Sequence, residues 1–288
     1  MSIKEEDVSY GVTAFLDILG FGNKVLESKD FDDIREIYKS VKLIQSAFYF
    51  EPDDDLTRES HTFTKTTVLA FSDCVVVNIP LESEATDLEG TFDAVMSEIT
   101  SFAYGQGTCC LNSLFIRGGL DLGWWFQKEA TLISQSMVNA YKTEGGVSVP
   151  AIAISDRVYE YFSNHSGRSF YSSDYDPIPK AFRAVDISGK KFWYIDYITI
   201  CLSAVGWQRS LCQREEYRRS SPDEKQDIMN KGYRENIEEW LNTHAAKIKL
   251  AHAQAPNQNV KKKFEWLADY HNEIAPNFTL NTACLCIL

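Results

Sequence analysis

Apolar positions change period several times along this chain, and each change marks an element. Val12-Thr13-Ala14-Phe15-Leu16 is a short, nearly continuous apolar run that predicts a buried strand. Asp17 closes the run, and Gly20 and Gly22 follow within five residues. Phe31, Ile34, Ile37, Tyr38, Val41, Ile44 and Phe48 then recur at helical spacing, with acidic residues in the first turn, and predict a helix over 30–50. The polar stretch 51–60 (E-P-D-D-D-L-T-R-E-S) reads as a solvated acidic loop. Two Val/Thr/Leu-rich runs, 62–70 and 74–79, bracket Phe71-Ser72-Asp73 and predict a hairpin with Asp73 at its tight turn.

A second amphipathic helix is expected over 86–104, ending near Gly105 and Gly107. A strand follows over 114–122, then a short strand at 131–134 and a helix at 136–144 stopped by Gly145-Gly146. Residues 151–154 read as a strand, 156–162 as a helix, and 182–187 with 192–195 as a hairpin across Ser188-Gly189. The order over 10–200 is β-α-β-β-α-β with additions, which predicts an α+β fold with a ferredoxin-like core. From about Gly206 the pattern is almost wholly helical, punctuated by Pro222, Pro256 and Pro276. The expected organisation is a core domain over 1–204 and a helical C-terminal extension over 205–288, packed on the core or on a partner subunit.

Composition changes this picture little. The chain has 288 residues, 44% hydrophobic and 24% charged, as in an ordinary globular protein. No window approaches the ~18–20 apolar residues of a membrane helix, and the polar, acidic N-terminus shows no signal peptide, so no stable membrane anchor is expected. The tail C-L-C-I-L lacks the cysteine fourth from the end that prenylation requires. Seven cysteines without a C-x-x-C pair point to reduced thiols, a cytoplasmic protein and no zinc site. The net charge of −12 argues against direct nucleic-acid binding but leaves room for a small anionic ligand held by metal ions and a few basic residues.

The candidate chemistry lies in four features. Asp17 sits at the end of an apolar strand, where an ionised carboxylate is costly unless paired, and a divalent cation would pair with it. Asp73 sits at the turn of a hairpin whose strand neighbours the first in a β-α-β-β sheet. Gly20-Phe21-Gly22 would let backbone N–H groups approach a phosphate. Arg117, on the strand carrying R-G-G-L-D-L-G (117–123), could fork onto a phosphate. Each has a plainer reading: helix caps for the aspartates, an ion-pair partner for the arginine. Trp124-Trp125-Phe126 fits hydrophobic packing better than a base pocket. The five histidines are scattered without metal-ligand spacing, and His244 and His252, eight apart on a predicted helix, read as surface residues. Lys261-Lys262-Lys263 reads as a solvated helix start.

As a set, F-L-D-I-L-G-F (15–21), F-S-D (71–73) and R-G-G-L-D-L-G (117–123) resemble the class III nucleotide cyclases, the adenylate/guanylate cyclase catalytic-domain family, over roughly residues 10–155. The resemblance implies two divalent cations, Mg²⁺ or Mn²⁺, held by Asp17, Asp73 and the backbone carbonyl of Ile18. It implies a phosphate-binding role for Arg117, 44 positions after Asp73. It also implies a homodimer whose sites are shared between subunits.

The departures from that family narrow the expectation. Leu69 stands where purine cyclases carry a base-reading lysine, and Thr131 stands near their base-reading aspartate. Their late asparagine and arginine fall near Val138 and Lys142, with Asn139 or Tyr141 in play if the register slips by one. The phosphate and metal machinery is thus kept without the purine-reading pair. That pattern, with F-S-D-C-V-V and F-E-W-L-A-D-Y-H-N (264–272), is similar to the pyrimidine cyclases of bacterial Pycsar antiphage systems. The implied reaction converts UTP to cyclic UMP, with CTP as second choice and a divergent purine cyclase or a non-catalytic nucleotide sensor as rivals. The implied catalytic residues are Asp17, Asp73 and Lys142, with Gly20, Phe21, Gly22 and Arg117 binding substrate. The product would act on a downstream cyclic-nucleotide-responsive effector.

Overall fold

The computed structural model describes residues 4–48, 62–129, 131–187 and 189–288, and the acidic stretch 51–60 lies outside them. The chain divides into two units, Met1–Cys110 with Leu114–Tyr197 and Ile198–Leu288 with Leu111–Ser113. The division at 197/198 precedes the 204/205 boundary drawn from the helical pattern.

The first unit is an α+β structure. Its elements are β1 (Val8–Ile18), α1 (Phe21–Glu27), α2 (Phe31–Phe48), β2 (Thr67–Phe71), β3 (Cys74–Pro80), α3 (Glu84–Glu89), α4 (Thr91–Leu111), β4 (Ile116–Lys128), β5 (Thr131–Ser134), α5 (Gln135–Gly145), β6 (Ile152–Ile154), α6 (Asp156–Ser163), α7 (Ile178–Ala181), β7 (Phe182–Ile187) and β8 (Lys190–Ile195). One sheet runs in the order β2-β3-β1-β4-β6-β8-β7, with β5 paired to β4. Strand β1 lies between β3 and β4, antiparallel to both, which accounts for its continuous apolar run: Val12, Ala14, Phe15 and Leu16 are buried on the two faces of an interior strand.

Helix α5 lies directly on β4. A Cβ at Gly119 would stand 2.1 Å from the Ala140 carbonyl oxygen and 2.6 Å from the Glu144 nitrogen. The glycine in R-G-G-L-D-L-G is therefore what lets the helix reach the sheet. Beneath α5, Phe15, Val76, Trp125 and Ala140 form a buried cluster joined by Leu69, Leu132 and Met137.

Several expected boundaries move. The helix expected over 86–104 is two helices, broken at Gly90 (φ 87°), and the second passes through Gly105 and Gly107 instead of ending there. The reason is packing: a Cβ at Gly105 would meet the Phe48 ring at 2.5 Å, so this glycine admits α2 against α4 and caps nothing. Strand β2 begins at Thr67, five residues later than expected, and β4 extends to Lys128 because β5 pairs with its far end.

The second unit is helical: it takes Tyr197–Ser203 (α8) from its second residue on, then Leu211–Arg219 (α9), Pro222–Ala253 (α10) and Gln258–Ile274 (α11). His244 is fully buried, not a surface residue, because it lies on the buried stripe Leu241, His244, Ala245, Ile248 of α10. Its Nδ1 is 2.9 Å from Nδ1 of the buried His271, and the two rings stack at 13°. His271 Nε2 lies 2.8 Å from the Cys284 carbonyl. A carbonyl can only accept, so Nε2 donates to it, and His271 Nδ1 then accepts from His244. Asn272 bonds the Cys286 backbone in both directions, at 2.7 and 2.9 Å. The segment 264–272 thus ties the C-terminal tail to the helices. Among the described residues, no helix is long and apolar enough to cross a membrane.

Candidate functional site

The three central strands present one row of polar side chains just beyond the apolar cluster. In register, Cys74 of β3, Asp17 of β1 and Arg117 of β4 stand side by side. The next row inward is Val76, Phe15 and Gly119, so the polar row is the floor's edge under the last turn of α5. Asp73 joins the row from the two-residue turn that links β2 to β3, where Phe71 pairs with Cys74 and Ser72 takes a left-handed conformation (φ 54°). A serine in that region is uncommon and marks a turn held by its surroundings.

The structure therefore brings Asp17, Asp73 and Arg117 together. One ligand atom each of Asp17, Asp73 and Cys74 lies within 4.8 Å of the others. Arg117 donates to Asp17 Oδ2 through Nε at 3.3 Å and Nη2 at 3.1 Å, and its Nε also forms an ion pair with the buried Glu144 of α5. Burial, and after it the neighbouring Asp73, push the Asp17 carboxyl up to about 6, against the opposing pull of Arg117. The Cys74 thiol lies 3.7 Å from Asp17 Oδ1 and 3.9 Å from Asp73 Oδ1, and burial with these carboxylates pushes it up to about 12. As a neutral thiol it donates to the two carboxylates.

The donor set fits a hard divalent cation. Two carboxylates meet at one point, and a desolvated pair of like charges is relieved by an ion of opposite sign. Gly20 caps α1 in the left-handed conformation (φ 79°), and a Cβ at Gly20 or Gly22 would meet nothing within 4 Å, so the backbone there is open to approach. Phe21 begins α1, a helix of only seven residues. Ile18 is buried and pairs with Ile116.

Other predicted residues lie elsewhere. Lys142 is exposed on α5, near Ser155, Asp156 and Lys191 around a shallow pocket of about 290 Å³, and it makes no hydrogen bond or ion pair with Asp17 or Asp73 of its own chain. Val138 and Tyr141 are exposed, with the Tyr141 ring edge-on to Phe15 at 5.2 Å. Leu69 packs in the apolar cluster, and Thr131 is exposed at the start of β5. Trp125 and Phe126 are buried and Trp124 is 39% exposed.

Two members of the site, Cys74 and Glu144, escape the sequence reading. Cys74 was reachable, since a two-residue turn at Ser72-Asp73 forces residue 74 into the first rung of the ladder. Glu144 carries no comparable signal, because only the docking of α5 at Gly119 brings it to Arg117.

No family model matches the chain, nor does any curated protein. Among solved structures it is similar to the adenylyl cyclase CyaB from P. aeruginosa, at 14% identity and a TM-score of 0.43, covering 65% of this chain and 94% of that one. It is also similar to a bacterial light-regulated adenylyl cyclase (11%, TM-score 0.39, 66% and 91%). A third is the guanylyl cyclase domain of the RhoGC fusion protein from the aquatic fungus Blastocladiella emersonii (13%, TM-score 0.36, 66% and 95%). At these scores the likeness is one of chain path, and the chemistry of the site rests on its own geometry. That geometry defines an α+β protein with a paired-carboxylate, arginine-backed site on the central strands of its sheet.

Proposed function

We propose that the chain is a nucleotide cyclase that converts UTP to 3′,5′-cyclic UMP and diphosphate, working as a homodimer in Pycsar-type antiphage signalling. The observation that carries this reading is the meeting of Asp17 and Asp73 beside the Arg117 fork. Asp17, Asp73 and the Ile18 carbonyl would hold two Mg²⁺ or Mn²⁺ ions. Bound there, such ions supply Lewis-acid polarisation of the α-phosphate and neutralise charge on the leaving diphosphate.

In the reaction the ribose 3′-oxygen forms a bond to the α-phosphorus, the α–β bridging P–O bond breaks, and the hydroxyl proton passes to water. Arg117 turns its planar fork from Asp17 to a phosphate oxygen, held at its other side by Glu144. The open backbone at Gly20, Phe21 and Gly22 receives the outer phosphates. Lys142 makes no hydrogen bond or ion pair with Asp17 or Asp73 of its own chain, which supports a site completed by Lys142 of a second copy, facing charge on the α-phosphoryl group. The packing of Leu69 among Leu132 and Met137 supports a site without a purine-reading lysine.

The test incubates purified protein with each of the four nucleoside triphosphates and Mn²⁺ and identifies the product. Cyclic UMP as main product, with cyclic CMP second, is expected. Predominant cyclic AMP or GMP overturns the pyrimidine assignment, and no cyclic product from any triphosphate overturns the cyclase.

A further inference from the structure

On the opposite face of the β2–β3 hairpin from the Asp17 site, the sheet and two helices leave a cavity of about 400 Å³. Alternation along the strands makes this separation: Leu69 and Val76 point toward α5, whereas the paired Val68 and Val77 point toward α2 and α4. The walls are largely apolar, built from Phe48, Val68, Val77, Phe102 and the bare backbone at Gly105. Its size falls in the range of sites that take small organic ligands.

Two polar groups in this lining are unsatisfied. The Glu98 side chain is half-buried, and neither a hydrogen bond nor an ion pair reaches its carboxylate among the described residues. Burial alone raises its pKa above the ordinary glutamate range. The Thr66 hydroxyl oxygen is buried and has no hydrogen-bond partner either. A half-buried carboxylate without a protein partner at the wall of an apolar cavity favours a ligand that brings an N–H donor to it. The net charge of −12 adds a general preference for a cation.

We propose that this cavity binds a small apolar amine: an aromatic or aliphatic body seated against Phe48, Val68, Val77 and Phe102, with a protonated nitrogen donating to Glu98. The site does not depend on the cyclase reading. Its ligand would bear on the strand pair whose turn carries Asp73.

The test is calorimetric titration of the full chain with phenethylamine and with phenethyl alcohol, which share the apolar body and differ in charge. Wild type should bind the amine saturably and at least about tenfold more tightly than the alcohol, the margin of one charge-assisted hydrogen bond. Glu98→Gln, nearly isosteric, should remove that preference. Val68→Phe, which places a ring in the cavity, should abolish binding of both compounds, with circular dichroism checking the fold. Three results overturn the assignment: no saturable binding to wild type, equal binding of both compounds, or an amine preference that survives Glu98→Gln. Binding unchanged in a folded Val68→Phe variant overturns the location. Should that variant not fold, the Glu98→Gln comparison decides.

Discussion

Arg117 stands directly across the β1–β4 ladder from Asp17 and grips Oδ2 of that carboxylate with two of its nitrogens. Even so, Asp17 is held near pKa 6, because burial and Asp73 outweigh the arginine. Ionising this carboxyl at neutral pH therefore opposes folding.

Asp17→Asn should abolish turnover while stabilising the protein without metal. The unfolded group loses its proton near 3.8, the native one near 6. Between those values the native state holds more protons, so stability falls as pH rises, and the penalty is complete above pH 6. The shift corresponds to at most about 3 kcal/mol. Urea denaturation of both proteins at pH 4 and 7 checks it: the gain of the variant should appear at pH 7 and shrink at pH 4.

Glu144→Gln should leave Arg117 with Asp17 alone. A stability loss of about 1–3 kcal/mol is expected from weakening a buried charged hydrogen bond. Steady-state kinetics should show a raised KM for the triphosphate, since the arginine is less firmly aimed. An unchanged KM with intact fold would argue that Glu144 serves packing only.

Three glycines separate close approach from backbone freedom. Gly119→Ala drives a methyl into the backbone of α5 and should cost about 1–3 kcal/mol or more. Gly20→Ala meets no atom but keeps a left-handed φ, for about 1–2 kcal/mol. Gly145→Ala has neither problem and should be neutral or slightly stabilising. Thermal melts of the three variants should rank in that order.

The buried histidine pair predicts acid sensitivity in the helical unit. Burial lowers the pKa of both His244 and His271, with the partner ring adding for His244 and Lys249 for His271, against the Cys284 carbonyl. Unfolded histidines take protons below about 6.5 that the native ones refuse, so stability falls as pH drops through that point. Amide hydrogen exchange in α10 and α11 should accelerate from pH 7 to 5 beyond the intrinsic trend. The pH effect should be smaller in His271→Gln.

Shared sites predict complementation. Asp73→Ala and Lys142→Ala homodimers should both be inactive. Random mixing places half of all dimers in the mixed class, each with one intact site of two, so about a quarter of wild-type activity should return. Recovery after subunit exchange is the measurement; none, with mixed dimers verified, would put Lys142 outside the partner's site.

The sequence by itself determined the elements whose cause is local. The apolar run ending at Asp17, the hairpin turn at Ser72-Asp73 and the seven helical positions from Phe31 to Phe48 are all legible, because strand burial, turn chemistry and helix periodicity act over a few residues. Asp17, Asp73 and Arg117 were legible as candidates on the same grounds, aided by resemblance. Tertiary structure decided what depends on distant partners. Gly105 and Gly119 look like helix or strand breakers until Phe48 and α5 are seen to occupy the space their missing side chains leave. Glu144 becomes part of the site only when α5 docks on β4. His244 is polar by type, and its burial follows from a partner 27 residues away whose own proton is committed to a backbone carbonyl. A side chain's period can be read along the chain, whereas its neighbours across the fold depend on which surfaces fit.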